Sequence, residues 1–291
     1  MYPPSFKLLV PSSLEEALRM LSEHGEEAKV LAGGHSLIPL MKLRLARPAY
    51  IVYLGKLKEL SYITEEGDHI RVGALATHAE IESSELLREK CPLLAETASK
   101  IGDRQVRNMG TIGGSLAHAD PAADYPAALT ALEASVVVRS VKGARELKVE
   151  EFIQGAYTTS LSPDELVTEV KVPVIKGATG TAYEKLVFRA SDFAIVGVAA
   201  LVSINSEGVA EKVRVAMTGV GETPVRARGV EEDLEGKKLT EEAIAGASRR
   251  ASEGLNPPSD IRASSEYRKA MAEALTRRAL VRALLRAREK L

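Results

Sequence analysis

Ala28-Lys29-Val30-Leu31-Ala32-Gly33-Gly34-His35-Ser36 runs from a short apolar strand directly into a bend with two glycines and a hydroxyl close behind them. The pattern returns further along the chain as Thr111-Ile112-Gly113-Gly114-Ser115. Glycine tolerates positive φ and lets a bulky ligand come close to the main chain. Successive N–H groups in such a bend form a concave nest for an anion. Ser36 and Ser115 each add a donor without adding a charge. Two such bends can clamp one diphosphate from both sides. Neither has the G-x-G-x-x-G spacing of a Rossmann turn, and neither ends in the Gly-Lys-Ser/Thr of a phosphate loop. Taken singly, each is equally a tight turn chosen for backbone shape. Their repetition favours a cradle.

Outward from the first bend the elements are short and well marked. Pro11 to Leu21 predicts a helix, capped by Ser12 or Ser13 with a glutamate three residues on, and Leu14, Leu18 and Leu21 share one face. Tyr50 to Leu54 predicts a second strand, which completes a small β-α-β-β unit. Ile70 to Ala74 predicts another strand, and Thr77 with Glu80 a reciprocal helix cap. Residues 93–101 are helical by composition, and strands are expected over 134–139 and 169–173. Beyond Lys176-Gly177-Ala178-Thr179-Gly180 the texture changes. Residues 183–189, 194–205 and 209–219 predict three antiparallel strands, the last two joined by the polar turn Asn205-Ser206-Glu207-Gly208. From Thr240 the pattern is helical, ending in an arginine-rich helix.

Composition narrows the function. The 291 residues carry a formal net charge of −1, so there is no basic footprint for nucleic acid. No stretch reaches the roughly 20 apolar residues of a membrane span, and the first residues lack the pattern of a signal peptide. The cytoplasm is the expected location. Cys91 is the only cysteine and cannot hold an iron–sulfur cluster or zinc site by itself. It reads as filler at a helix end. His24, His69 and His78 lie among polar residues without ligand spacing; they are expected to be solvated, and no metal site is expected.

Three stretches carry a family resemblance. Ala32 to Lys42 (AGGHSLIPLMK) resembles the first flavin loop of the medium subunit of the carbon monoxide dehydrogenase and xanthine dehydrogenase family. Arg107 to Asp124 (RNMGTIGGSLAHADPAAD) resembles the second, and Asp260 to Arg268 (DIRASSEYR) is similar to a motif of that family's C-terminal domain. They stand in family order and spacing, and the likeness covers nearly the whole chain.

The resemblance implies an α+β chain. Residues 1–176 would form a two-subdomain FAD-binding fold of the vanillyl-alcohol-oxidase/PCMH type, divided at about 56/57, and residues 177–291 a C-terminal domain with a three-stranded antiparallel sheet and helices. It implies non-covalent FAD held by Ala32, Gly33, Gly34, His35 and Ser36 and by Thr111, Ile112, Gly113, Gly114 and Ser115. Asp124, Lys185 and Phe193 match further cofactor-contacting positions, Phe193 lying against the flavin ring or else opening a strand in the core. His35 is expected to position backbone rather than to bind flavin covalently. His118 either orients a cofactor group or bonds a loop. The implied partners are a large molybdenum–pterin subunit and a small subunit with two [2Fe-2S] clusters, assembled as a dimer of heterotrimers.

The sequence offers binding loops but no convincing general base or nucleophile, so no catalytic residue is assigned. That combination predicts an electron relay. A free-standing flavin oxidase or reductase is the alternative, and a scaffold that has lost its cofactor is a third. Arg278, Arg282 and Arg286 form a stripe that is either a solvated face or a docking site.

Overall fold

A computed structural model describes residues 2–291. The chain opens with a three-stranded parallel sheet in the order Lys7–Leu9, Tyr50–Tyr53, Ala28–Leu31. The helix Leu14–His24 covers it and buries Leu14, Leu18 and Leu21 as the spacing predicts. Its cap is shared by two serines. The Ser13 hydroxyl accepts from Glu16 N at 3.2 Å, and Ser12 N donates to the Glu16 carboxylate at 2.6 Å. A cap of this kind contributes about 1 kcal/mol.

The next sheet is five-stranded and antiparallel, in the order Ile63–Glu66, His69–Gly73, Leu166–Pro173, Ser135–Ser140, Gly143–Lys148. Its central strand arrives from about a hundred residues further along the chain, bringing Val170 and Val172 beside Val72 and Ile70. Short helices pack against it. Thr77 and Glu80 form the expected capping box at the start of His78–Ser83. Cys91 is fully buried between two of these helices, and burial pushes its thiol up to about 12, which makes it a packing residue.

The last sheet has four strands rather than the three expected: Thr179–Leu186, Val196–Ile204, Ala210–Thr218 and Val225–Arg226. The fourth is two residues long, too short to show alternation in sequence. The first strand starts earlier and stops earlier than predicted, so residues 187–189 belong to a loop. The helix Ser265–Arg288 lies across this sheet so closely that a Cβ on Gly180 would sit 1.9 Å from the Ala283 carbonyl oxygen.

Of its arginine stripe, Arg278 is exposed and makes no ion pair among the described residues, whereas Arg282 and Arg286 are tied down. Arg282 pairs with Glu96 at 2.6 Å and with Glu184. Arg286 reaches Glu96 at 2.6 Å and the Thr181 carbonyl at 2.6 Å. Glu96 lies on Pro92–Ser99, so these arginines tie the C-terminal helix to the preceding helical layer. Among the described residues, no helix is long and apolar enough to cross a membrane.

Candidate functional site

The Ala28–Leu31 strand ends where the first bend begins. Gly34 has φ +77°, a conformation that glycine adopts without strain. Gly33 is a glycine for another reason. A Cβ on it would lie 2.1 Å from the Met109 carbonyl oxygen and 2.9 Å from the Gly110 Cα. The first bend therefore presses its main chain directly onto the segment that leads into the second. Among the described residues, the amides of Gly33, Gly34, His35 and Ser36 have no hydrogen-bond partner, and neither does the Ser36 hydroxyl. Four consecutive unpaired N–H groups at a surface bend are donors that an anion could satisfy. His35 is exposed, and its Nδ1 lies 3.2 Å from the Gly33 carbonyl oxygen, a contact that steadies the bend.

The second segment differs from the expected bend. Thr111 is the N-cap of the helix Ile112–His118, and neither Gly113 nor Gly114 has positive φ. Its amides are already used. Ile112 N donates to Ala76 O at 3.1 Å, Gly113 N to Ala74 O at 2.9 Å, and Gly114 N to the Thr111 hydroxyl at 3.2 Å. Gly113 is buried, and a Cβ there would meet the Ala74 Cβ at 2.5 Å. Gly114 is exposed, and its only neighbour within reach is Thr111 Oγ1 at 2.8 Å. This segment offers one exposed position without a side chain, Gly114, and the Ser115 hydroxyl, not a second set of open amides.

Beneath the junction sits a residue expected to be solvated. His78 is 5% exposed, its amide donates to Gly110 O at 3.0 Å, and a Cβ on Gly110 would collide with its Nε2 at 2.5 Å. Its ring meets Tyr125 edge-on, with centroids 5.2 Å apart. Burial, then the nearby His35 and Arg107, lower the imidazole to about 4, so it is neutral at ordinary pH. The His78 Nδ1 and the Tyr125 hydroxyl are both buried without partners. Arg107 braces the same junction, with Nε 2.7 Å from Glu82 and Nη1 donating to Ile101 O at 3.1 Å. The clue in the sequence is Thr77-His78: a capping threonine fixes where the histidine points, although its burial depends on Gly110 and Tyr125.

Asp124 and Lys185 are brought together, but by each other. The pair is 2.8 Å apart, with side chains 4% and 5% exposed. Tyr183 donates to the other Asp124 oxygen at 2.6 Å, and Lys185 also donates to Lys100 O at 2.9 Å. Burial raises the Asp124 carboxyl against the opposing pull of Lys185 and Tyr183. The pair joins the start of the helix Asp124–Ala131 to the strand Thr179–Leu186. Phe193 is 47% exposed in the loop 187–195, so it is not a core residue. His118 stands at a half-buried helix end, its ring 5.2 Å from that of Tyr157.

The first bend, with its open amides, thus abuts the segment that leads into the second glycine-bearing helix. The family of FAD-binding domains in molybdopterin dehydrogenases matches residues 4–175, and the carbon monoxide dehydrogenase flavoprotein C-terminal domain matches residues 181–283. The chain is 41% identical to the glyceraldehyde dehydrogenase medium chain of Sulfolobus acidocaldarius, over 96% of this chain and 98% of that one. It is 38% identical to the 6-hydroxypseudooxynicotine dehydrogenase complex subunit alpha of Paenarthrobacter nicotinovorans, over 99% and 97%. A solved carbon monoxide dehydrogenase from Hydrogenophaga pseudoflava contains a chain that superposes with a TM-score of 0.95 at 40% identity, covering 98% of this chain and 99% of that one. The chain belongs to the FAD-binding subunits of the molybdenum hydroxylases, and its cofactor is FAD.

Proposed function

We propose that this chain is the electron-transfer subunit of a heterotrimeric molybdenum hydroxylase, receiving electrons from iron–sulfur clusters in a small subunit and delivering them to an external acceptor. A large molybdenum–pterin subunit would oxidise the substrate, and the assembly would be a dimer of such heterotrimers. The single observation that carries this reading is the run of open amides at Gly33 to Ser36, pressed against Met109 and Gly110. A bound flavin supplies the ability to exchange electrons singly or in pairs. Everything else this chain contributes is binding and placement.

In this proposal the Gly33–Ser36 amides and the Ser36 hydroxyl hold the FAD diphosphate without a covalent bond. Thr111 to Ser115 supply its second wall through the bare surface at Gly114 and the Ser115 hydroxyl. The buried Asp124–Lys185 pair borders the cofactor while holding the C-terminal sheet in place, and Phe193 covers the flavin ring. The domain division at 176/177 belongs to the same reading. Relatives named for substrates as different as glyceraldehyde and 6-hydroxypseudooxynicotine support a substrate-neutral role for the subunit.

The test is to purify the enzyme with its co-expressed neighbouring subunits and follow the flavin absorption. Substrate should bleach the flavin band only in the assembled enzyme. An enzyme stripped of FAD should still reduce its clusters with substrate but lose turnover with its external acceptor. Bleaching of the flavin by substrate in this chain alone would favour the free-standing oxidase instead.

A further inference from the structure

The motif Asp260 to Arg268 has no part in the cradle, yet it contains a buried arginine. Arg268 is 4% exposed at the start of the helix Ser265–Arg288. Its Nη1 donates to Ile195 O at 2.5 Å and to Gly219 O at 3.0 Å, and its Nη2 to Asp260 Oδ2 at 2.8 Å. Asp260 is itself fixed, since its Oδ1 accepts from Arg262 N at 2.8 Å and Ala263 N at 3.0 Å. A guanidinium is the right group here, because its planar fork serves several acceptors at once.

Both carbonyls lead to residues that the proposed function sets beside the flavin. Ile195 closes the loop that carries Phe193, its amide donating to Leu186 O at 2.8 Å. Gly219 has φ +79° and donates to Pro121 O at 2.9 Å, while Thr218 donates to Pro121 O and Ala123 O, both at 2.8 Å. Asp124 follows directly and holds Lys185 at the other stem of the same loop. Inside the loop, Ser191 stands at φ +72°, and the one main-chain bond within it runs from Asp192 N to Arg189 O at 3.1 Å. Phe188 and Phe193 are both exposed. With so little structure of its own, the loop takes its orientation from its two stems, one held by the buried Asp124–Lys185 pair and the other by the buried guanidinium of Arg268, whose partner Asp260 is partly exposed.

We propose that Arg268, oriented by Asp260, is a positioning residue that fixes the Ile195 stem and thereby sets the pose of Phe193 against the flavin. The proposal rests on the reading that Phe193 covers the flavin, so its test separates the two. Arg189 is an exposed trypsin site inside the loop, and Arg44 is an exposed site far from it in sequence. In the full chain, Arg268→Lys keeps the charge but cannot fork to three acceptors, and Asp260→Asn leaves the arginine without its charged partner. Each should raise cleavage at Arg189 about tenfold while leaving Arg44 unchanged, the effect of losing one charged hydrogen bond from a locally opening segment.

In the assembled, FAD-loaded enzyme, Arg268→Lys should shift the flavin's visible circular dichroism in the same direction as Phe193→Leu. The double variant should go no further than Phe193→Leu alone, as expected of residues acting as one unit. Unchanged cleavage at Arg189, or a parallel rise at Arg44, overturns the anchoring role. Faster cleavage at Arg189 together with a silent Phe193→Leu spectrum removes Phe193 from the flavin and overturns the functional role. If Arg268→Lys does not fold, Asp260→Asn carries both measurements.

Discussion

Gly33-Gly34 and Gly113-Gly114 look alike in sequence, each a glycine pair with a serine close behind, but the chain uses them differently. In the first, Gly34 takes a left-handed conformation and four amides are left open. In the second, the backbone is helical and its amides are bonded to Ala76, Ala74 and Thr111. Each pair contains one glycine that touches backbone and one at the surface. Gly33 and Gly113 are small because another strand of main chain lies against them. Gly34 and Gly114 instead face side chains, where a Cβ would meet Ile38 Cδ1 at 2.7 Å and Thr111 Oγ1 at 2.8 Å. A glycine pair thus marks a close approach on both of its faces, and its conformation must be learned separately.

That contrast can be broken at single positions. Gly33→Ala should have the largest effect, since the new methyl would overlap a carbonyl oxygen that cannot move alone. We expect a loss of about 3 kcal/mol by denaturant unfolding, with FAD absent from the assembled enzyme. An unchanged unfolding midpoint would mean that the two segments do not touch.

The junction beneath them predicts a pH dependence. His78 is neutral when folded, at about 4, against 6.5 when unfolded. The unfolded chain therefore binds the extra proton, so this stabilisation is complete above 6.5 and is lost as pH falls toward 4. Its full size is about 3 kcal/mol. His78→Gln should flatten the fall in unfolding free energy across that window, and an equally steep fall in the variant would place the titration elsewhere. Gly34→Ala should cost less, about 1–2 kcal/mol for the left-handed backbone, because the nearest obstacle is the movable end of Ile38. Its main readout is weaker FAD retention on dialysis.

Much of this was legible from sequence because it is local. Ser13, Thr77 and Glu80 cap as their spacing requires, and Leu14, Leu18 and Leu21 bury together. The bend at Gly34 was visible as well. What sequence concealed depends on distant partners. The helix at Ile112–His118 was hidden by its glycines, which are poor helix formers held in place by Thr111 and by packing on Ala74. His78 sits in a polar run and is buried by Gly110 and Tyr125. Arg282 and Arg286 read as a free basic face because Glu96 lies about 190 residues earlier. Gly143–Lys148 is a polar, mostly solvent-facing edge strand without apolar alternation, and Val225–Arg226 is only two residues long.

The smallest expected effect on folding provides the sharpest test. Gly114 is an exposed helical position where the one obstacle to a Cβ is the Thr111 capping hydroxyl at 2.8 Å, so Gly114→Leu should cost no more than that cap, about 1 kcal/mol. If the bare Gly114 position and the Gly33–Ser36 amides enclose one pyrophosphate, FAD per molybdenum in the assembled Gly114→Leu enzyme should fall about tenfold or more, the cost of filling ligand space with a buried clash. Full flavin occupancy in that variant would contradict the shared cradle.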